Sequence, residues 1–282
     1  MARDHQQRLD EALSRPVKFF LFDIDHNLTD ERGRVPESAI EKIAALVAEH
    51  GVGVGLVSGR PELSTLEDGP DITQVIRQLQ QHLSEEQQQK LVIFPEYAGY
   101  GREVGSKRLH DYGFMGLFEK SLPLLLEMIE DNRDDQFDFL EIKKTSLSIW
   151  LKPPFHRRDT VDRQVESYRQ AMSKIPLCSQ LMVINGANRT IDILPRAVNK
   201  QRAIAETAAI YRISVDTIAT SDDQGAKDDA GHAFTDHALG FATRDFDPES
   251  VRQISTRLCI NQTGLEANLS LLERLQFTAL ES

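Results

Sequence analysis

Two aspartates one residue apart, Asp23 and Asp25, stand at the end of the apolar run Val17 to Phe22. A run of that length reads as a buried strand, and core packing gives no reason for two carboxylates at its end. The C-terminal edge of an open α/β sheet is where ligand and catalytic groups gather. There, one carboxylate can attack phosphorus while the other carries a proton to or from the leaving oxygen. Three more polar groups occupy strand ends or helix starts. Ser58, Gly59 and Arg60 close the stretch that begins at Val52, Lys200 opens a helix after Val198-Asn199, and SDDQGAKDD follows Thr217 to Thr220.

Phosphoryl transfer needs an oxygen nucleophile, a proton donor for the leaving alcohol, a divalent cation, and positive or N–H donors around the equatorial oxygens. Asp23 supplies the nucleophile and Asp25 the acid/base. Ser58 and the backbone N–H groups beside Gly59 can hydrogen-bond phosphoryl oxygens, with Arg60 adding positive charge. Lys200 can neutralise developing charge next to Asp23. Asp222, Asp223, Asp228 and Asp229 crowd one short segment and repel one another unless a cation intervenes. A ligand set made only of oxygen suits a hard ion, Mg²⁺ above all.

These groups need elements to hold them. Arg3 to Ser14 reads as a short helix ending before Pro16. In Pro36 to His50 the residues Ile40, Ile43, Ala44 and Val47 share one helical face, and Gly51 stops the helix. Val52 to Arg60 is a second buried strand, Ile72 to Gln89 a Gln-rich helix, and Leu91 to Phe94 a third strand. The character changes after that. Leu117 to Asp131 reads as a helix, Phe137 to Lys152 as two paired strands, Val161 to Lys174 as a helix, and Leu181 to Leu194 as a hairpin about Asn185-Gly186. The strand–helix rhythm then returns, with a helix over Lys200 to Tyr211, strands over Thr217 to Thr220 and Leu239 to Ala242, and helices over Glu249 to Leu258 and Leu265 to Phe277. The pattern predicts an α/β protein with a doubly wound parallel sheet in a discontinuous core, 1–110 and 193–282, and a smaller α/β insert over 111–192. Glycine and proline placement puts the hinges near Gly99 to Gly105 and near Pro195. Trp150 is expected in the core of the insert.

The chain has 282 residues, 40% of them hydrophobic and 27% charged, which is ordinary for a soluble globular protein. A net charge of −11 argues against nucleic acid or an anionic membrane as partner, though not against a small anionic substrate. The two cysteines form no CxxC or Cys/His cluster and read as reduced and structural. The first residues lack a signal-peptide apolar region, and no apolar stretch is long enough to cross a membrane. The expectation is a cytoplasmic protein, monomer or homodimer.

The order of the motifs resembles the haloacid dehalogenase-like superfamily: DxDx(T/V), a Ser or Thr at a strand end, a Lys, then an acidic motif. The resemblance runs from Val17 to about Ala242. The length between Ser58 and Lys200 is similar to members with a large α/β cap, and IDILPRAVNKQRAI resembles the stretch leading to their lysine. FLEIKKTSLSIWLK resembles the cap hairpin of trehalose-6-phosphate and sucrose-phosphate phosphatases and of phosphomannomutases. There an E-x-K pair contacts the sugar, and Glu141 and Lys143 fall on it. The resemblance implies a phosphatase that hydrolyses a sugar phosphate through an aspartyl-phosphate. Mg²⁺ would be held by Asp23, the Asp25 carbonyl and an acid of the last motif, with Asp222 and Asp223 fitting one variant and Asp223 and Asp228 another. A phosphomutase, or a sugar-phosphate binder with weakened catalysis, are the alternatives. The second rests on departures from the pattern: His26 and Asn27 stand where Gly and Thr are usual, Ser221 where Gly is usual. His26 and Asn27 are also candidate substrate contacts.

Overall fold

The computed structural model describes residues 2–30, 32–66, 69–186, 188–222, 234, 237–242, 258–259 and 264–280. Asp223, Asp228, Asp229 and most of the helix expected over Glu249 to Leu258 lie outside them. The chain divides into two compact units, one of Met1–Glu62, Asp71–His110 and Asn199–Ser282, the other of Leu63–Pro70 and Asp111–Val198.

The first unit begins with α1 (Ala2–Leu13). The single strand expected after it is two: β1 (Pro16–Val17) and β2 (Phe19–Asp23). Then come α2 (Glu37–Ala48), β3 (Gly53–Val57) and α3 (Ile72–Gln81). A separate short helix, α4 (Glu85–Gln88), interrupts the long one expected from Ile72 to Gln89. The break is a capping box: Ser84 Oγ accepts from the Gln87 N–H at 3.2 Å, and Gln87 Oε1 accepts from the Ser84 N–H at 2.8 Å. β4 (Leu91–Phe94) is followed by two strands that sequence periodicity did not show, β5 (Tyr100–Glu103) and β6 (Leu109–Asp111). β5 runs antiparallel to β4 and lies between it and β6, so Tyr100 to Glu103, within the stretch expected as a hinge, is part of the sheet.

In the second unit, α5 (Phe114–Asn132), β7 (Phe137–Ile142), β8 (Leu147–Leu151), α6 (Arg158–Met172), β9 (Leu181–Gly186) and β10 (Thr190–Pro195) make an antiparallel sheet in the order β7-β8-β10-β9 with two helices. Leu147, Ile149, Ile191 and Ile193 pack with Phe118, Leu125, Val161 and Val165 of the helices. β10 is paired out to Pro195, opposite Leu181, so the boundary expected at residue 193 would cut a strand. The hairpin reverses after Gly186 and not about it, because Asn185 Oδ1 accepts from the Asn188 N–H at 2.7 Å and Asn188 takes φ 60°.

The first unit resumes with α7 (Arg202–Tyr211), β11 (Ile218–Asp222), β12 (Gly240–Ala242), β13 (Leu258–Cys259), α8 (Gly264–Leu272) and β14 (Gln276–Phe277). Leu258 is thus a strand residue. The last helix stops at Leu272, short of the expected Phe277, because Gln276 and Phe277 pair with Pro16 and Val17. The large sheet has the order β13-β12-β11-β2-β3-β4-β5-β6, parallel from β13 to β4. Both its faces are covered. Phe20 and Phe22 cluster with residues of α1, α2, α3 and α8, whereas Phe19 and Leu21 cluster with Ala203 and Ile204 of α7. Two-sided burial explains why its strands are continuous apolar runs without alternation.

Candidate active site

From β2 the chain winds outward through β3 and β4, then returns to β2's other side with β11 and continues to β12 and β13. The end of β2 is therefore the point where the strand order reverses, which is where open α/β sheets leave a crevice. Asp23 is the last residue of β2, in register with Val57, and Phe22 is in register with Ser221. The ends of β2, β3 and β11 thus bring Asp23, Ser58 and Asp222 to one edge.

Asp23 is buried, and its Oδ1 lies 2.7 Å from Lys200 Nζ. The same ammonium lies 3.7 Å from Oδ2 of Asp222, also buried. Lys200 stands in the turn before α7, where its carbonyl accepts from the Ala203 N–H at 3.0 Å. One cation therefore serves two carboxylates from two different strands.

Asp25 is held differently. Arg60 Nε reaches both its carboxylate oxygens at 3.1 Å, and Nη2 reaches Oδ1 at 2.6 Å. Arg60 also donates to the Gly33 carbonyl at 3.2 Å. Ser58 Oγ donates to Asp25 Oδ2 at 3.3 Å and accepts from the Arg60 N–H at 3.1 Å. Burial alone would raise the Asp25 carboxyl, but Arg60, Lys200 and Ser58 outweigh it and hold the group below the usual carboxylate range. The Asp25 side chain is 48% exposed, whereas that of Asp23 is 3% exposed, so only the first is open to exchange protons with solvent.

Between the two acids and α2 the chain makes a tight turn. The Ile24 carbonyl accepts from Asn27 N at 3.3 Å and Leu28 N at 2.9 Å, and His26 N donates to Thr29 Oγ1 at 2.9 Å. His26 is exposed and takes φ 58°, the left-handed region that glycine enters most easily and histidine more readily than most. Asn27 is fully buried. Its Nδ2 donates to the Asp23 carbonyl at 2.9 Å, the Ser221 carbonyl at 3.2 Å and Ser221 Oγ at 3.0 Å. Its Oδ1 accepts from Asn268 Nδ2 at 2.8 Å. This corrects the expectation that Asn27 faces a ligand: the carboxamide points inward and ties three elements together. Asn27 and Ser221, two departures from the usual pattern, are partners of one another.

Sequence reasoning passed over the residues after β4. Glu96, Tyr97 and Ala98 all have positive φ, at 53°, 61° and 65°. Three adjacent non-glycine residues in this region cost about 1–3 kcal/mol each. The turn is pinned by Tyr97 N donating to the Ser58 carbonyl at 2.9 Å and Glu96 N to the Arg60 carbonyl at 3.1 Å. The Tyr97 ring occupies the space beside Gly59, where a Cβ would lie 2.7 Å from Cζ. The sequence signal for this contact is the glycine itself, between Ser58 and Arg60.

In the second unit, Glu141 and Lys143 form a buried ion pair at 3.7 Å. Glu141, Ser148 and Asp192 are in register across β7, β8 and β10. Trp150 is on this polar face and outside the core cluster, because it is offset by one residue from Ile149. Its ring stacks on Phe139 at 5.3 Å, and its Nε1 donates to Glu141 Oε2 at 3.3 Å.

Among the described residues no three His, Cys, Asp or Glu side chains are grouped to hold a metal ion, and no helix is long and apolar enough to cross a membrane. Among the described residues at this edge, Asp23, Asp25 and Asp222 nonetheless outnumber Lys200 and Arg60. The excess negative charge and all-oxygen donors fit a hard cation.

Solved structures share this architecture. A haloacid dehalogenase-like hydrolase from Bacteroides thetaiotaomicron superposes with a TM-score of 0.67 at 14% identity, over 92% of this chain and 99% of that one. Its fold is that of the haloacid dehalogenase-like hydrolases. The sucrose-phosphatase of Synechocystis sp. PCC6803, solved with sucrose and phosphate, gives 0.59 at 13% identity over 92% and 98% of the two chains. A Plasmodium falciparum IMP-nucleotidase bound to IMP gives 0.57 at 11%, over 94% of this chain and 70% of that one. No family model matches the sequence, and no curated protein matches it either.

Proposed function

We propose that this chain is a Mg²⁺-dependent phosphatase that hydrolyses a sugar phosphate through an aspartyl-phosphate on Asp23. The observation that carries the reading is Lys200 Nζ at 2.7 Å from Asp23 and 3.7 Å from Asp222, at the switch point of the sheet. A buried carboxylate paired with one ammonium is an oxygen nucleophile with a fixed aim.

In the first step an Asp23 oxygen attacks phosphorus, the bond from phosphorus to the leaving oxygen breaks, and Asp25 gives that oxygen its proton. In the second, Asp25 takes a proton from water as the water oxygen attacks phosphorus. The bond to Asp23 breaks, and inorganic phosphate leaves. Mg²⁺, when bound to Asp23, the Asp25 carbonyl and Asp222 or acids of the segment after it, would offset charge on the phosphoryl oxygens. Asp223 and Asp228 are the further candidates in that segment. Ser58 and the Gly59 N–H are proposed to hold the phosphoryl group, and the exposed His26 to contact the rest of the substrate. In the second unit, Glu141 and Lys143 are proposed as sugar contacts of their own. Arg60 holds Asp25 ionised, the state the second step needs. An arriving phosphate dianion raises the affinity of Asp25 for the proton the first step needs.

A phosphate-release screen over hexose, amino-sugar and disaccharide phosphates tests the reading. Release should require Mg²⁺, stop with EDTA, and vanish in Asp23→Asn. A folded protein that turns over no member of the panel would refute it.

A further inference from the structure

The turn that carries Asp25 is gripped from a place far along the chain. Asn268 is fully buried in α8, on a helix face it shares with Ala267, Leu271 and Leu272. A carboxamide among apolar neighbours costs free energy unless its polar atoms are paired. Its Nδ2 donates to the Asn27 carbonyl at 2.7 Å and to Asn27 Oδ1 at 2.8 Å, with a longer 3.4 Å contact to the Gly264 carbonyl of its own helix. Its Oδ1 is buried with no hydrogen-bond partner among the described residues, so the donor side alone ties it to the turn. Leucine would suit the packing, so the polar group is explained by the turn it holds.

The first residue of α8 touches the same turn. Gly264 has φ 51°, and a Cβ there would come within 2.6 Å of the His26 carbonyl oxygen. Helix start and helix body therefore meet adjacent residues, His26 and Asn27, that lie between the second aspartate and α2. The direction of the hydrogen bonds also matters. The Asp23 and Ser221 carbonyls can only accept, so the Asn27 nitrogen faces them and its oxygen faces α8. Asn268 presents the donor that this oxygen needs, so α8 fastens Asn27 in the orientation that bridges the ends of β2 and β11.

We infer that Asn268 and Gly264 are positioning residues for the Asp23–Asn27 segment, making the C-terminal helix part of the catalytic apparatus. The kinetic half of this inference rests on the phosphatase reading; the structural half does not.

The test uses the full chain with para-nitrophenyl phosphate and Mg²⁺, alongside amide hydrogen exchange. Asn268→Leu keeps the volume and removes the donor. Its kcat should fall about ten- to a hundredfold, the scale of an ångström-sized misplacement, with KM changed by less than about threefold. Exchange at Asn27 and Leu28 should speed up. In an Asn27→Ala background the same substitution should cost much less, whereas a purely packing role would cost the same in both. Gly264→Ala perturbs the turn from the other contact and should act in the same direction. In the unmodified protein, Asn27 and Leu28 amides should open together with those of α8, a measurement that needs no variant to fold and no turnover. Independent opening of the two segments, or kcat unaltered in a folded Asn268→Leu, would overturn the inference. Absent phosphate release in the unmodified protein, together with joint opening, would refute the phosphatase reading and leave the positioning role standing.

Discussion

Lys200→Met tests the arrangement at its centre. The substitution keeps the length of the side chain and removes the charge that Asp23 and Asp222 share. Both carboxylates are at most 5% exposed, so solvent cannot replace the ammonium. Removing one partner of a buried pair costs about 3–5 kcal/mol. Lys200 itself is 19% exposed, which favours the lower end, about 3 kcal/mol. For a unit of this size about 1 kcal/mol shifts Tm by about 2–4 °C, so a fall of about 6–12 °C is expected in EDTA. The two carboxylates lie no farther apart than the sum of their distances to Nζ. At about 6 Å and an effective dielectric constant of 20, their repulsion is about 3 kcal/mol.

That repulsion gives the experiment a second arm. Adding Asp222→Asn to Lys200→Met removes one of the two like charges and should recover part of the lost Tm. Mg²⁺ should raise Tm more in Lys200→Met than in the unmodified protein, since a cation then no longer competes with the ammonium for the two carboxylates. Thermal unfolding in EDTA and in Mg²⁺ reads both arms, and phosphate release should fall steeply in each variant. A Lys200→Met protein that melts within about 1 °C of the unmodified one, with Asp222→Asn adding nothing, would refute the shared-cation reading.

Arg60→Ala should return Asp25 toward the ordinary carboxylate range, so the limb of the pH–rate profile that Asp25 governs should move to higher pH. Because the folded-state value is lowered, the stabilisation from Arg60 is present above about pH 4 and lost as pH falls through the folded value. Urea midpoints of the two proteins should therefore differ at neutral pH and converge in acid, the gap being within about 1 kcal/mol for a half-exposed carboxylate. Asn27→Thr and Ser221→Gly should each destabilise when made alone, and should be non-additive by about 1–2 kcal/mol in the double variant, as urea unfolding would show. Simple additivity would mean that their contact has no energetic consequence.

Much of this edge was legible because buried parallel strands are apolar runs, and a polar residue at the end of such a run stands out. Asp23 and Ser58 stand out that way and Lys200 as a charge opening a helix, and the structure brings the Lys200 ammonium to 2.7 Å from Asp23. What stayed hidden depends on contacts without a local period. β5 and β6 read as a glycine-bearing connection because strands of three or four residues are too short to show a period. The Ser84 capping box sat inside a stretch whose periodicity continues across it. Trp150 differs from its core neighbour Ile149 by one step of strand register, and register is set by partners. Tyr97 lies against Gly59 only because three residues adopt left-handed backbone that no propensity would suggest.

The departures from the pattern that the sequence resembles show the same limit from the other side. Read singly, Asn27 in place of Thr and Ser221 in place of Gly suggest erosion. Their side chains are joined by a hydrogen bond from Asn27 Nδ2 to Ser221 Oγ, and Asn268 extends the link by donating to Asn27 Oδ1. A small residue on one strand leaves room; a serine fills it and gives the longer asparagine an acceptor. His26 belongs to the same solution. It enters the left-handed backbone region unaided by glycine, and Gly264 supplies the close approach from α8. The glycine that the turn lacks at residue 26 has its steric counterpart on the helix that packs against it. Residues that would each loosen the turn if taken alone are thus coupled through named atoms, and changing one of them is expected to disturb the others.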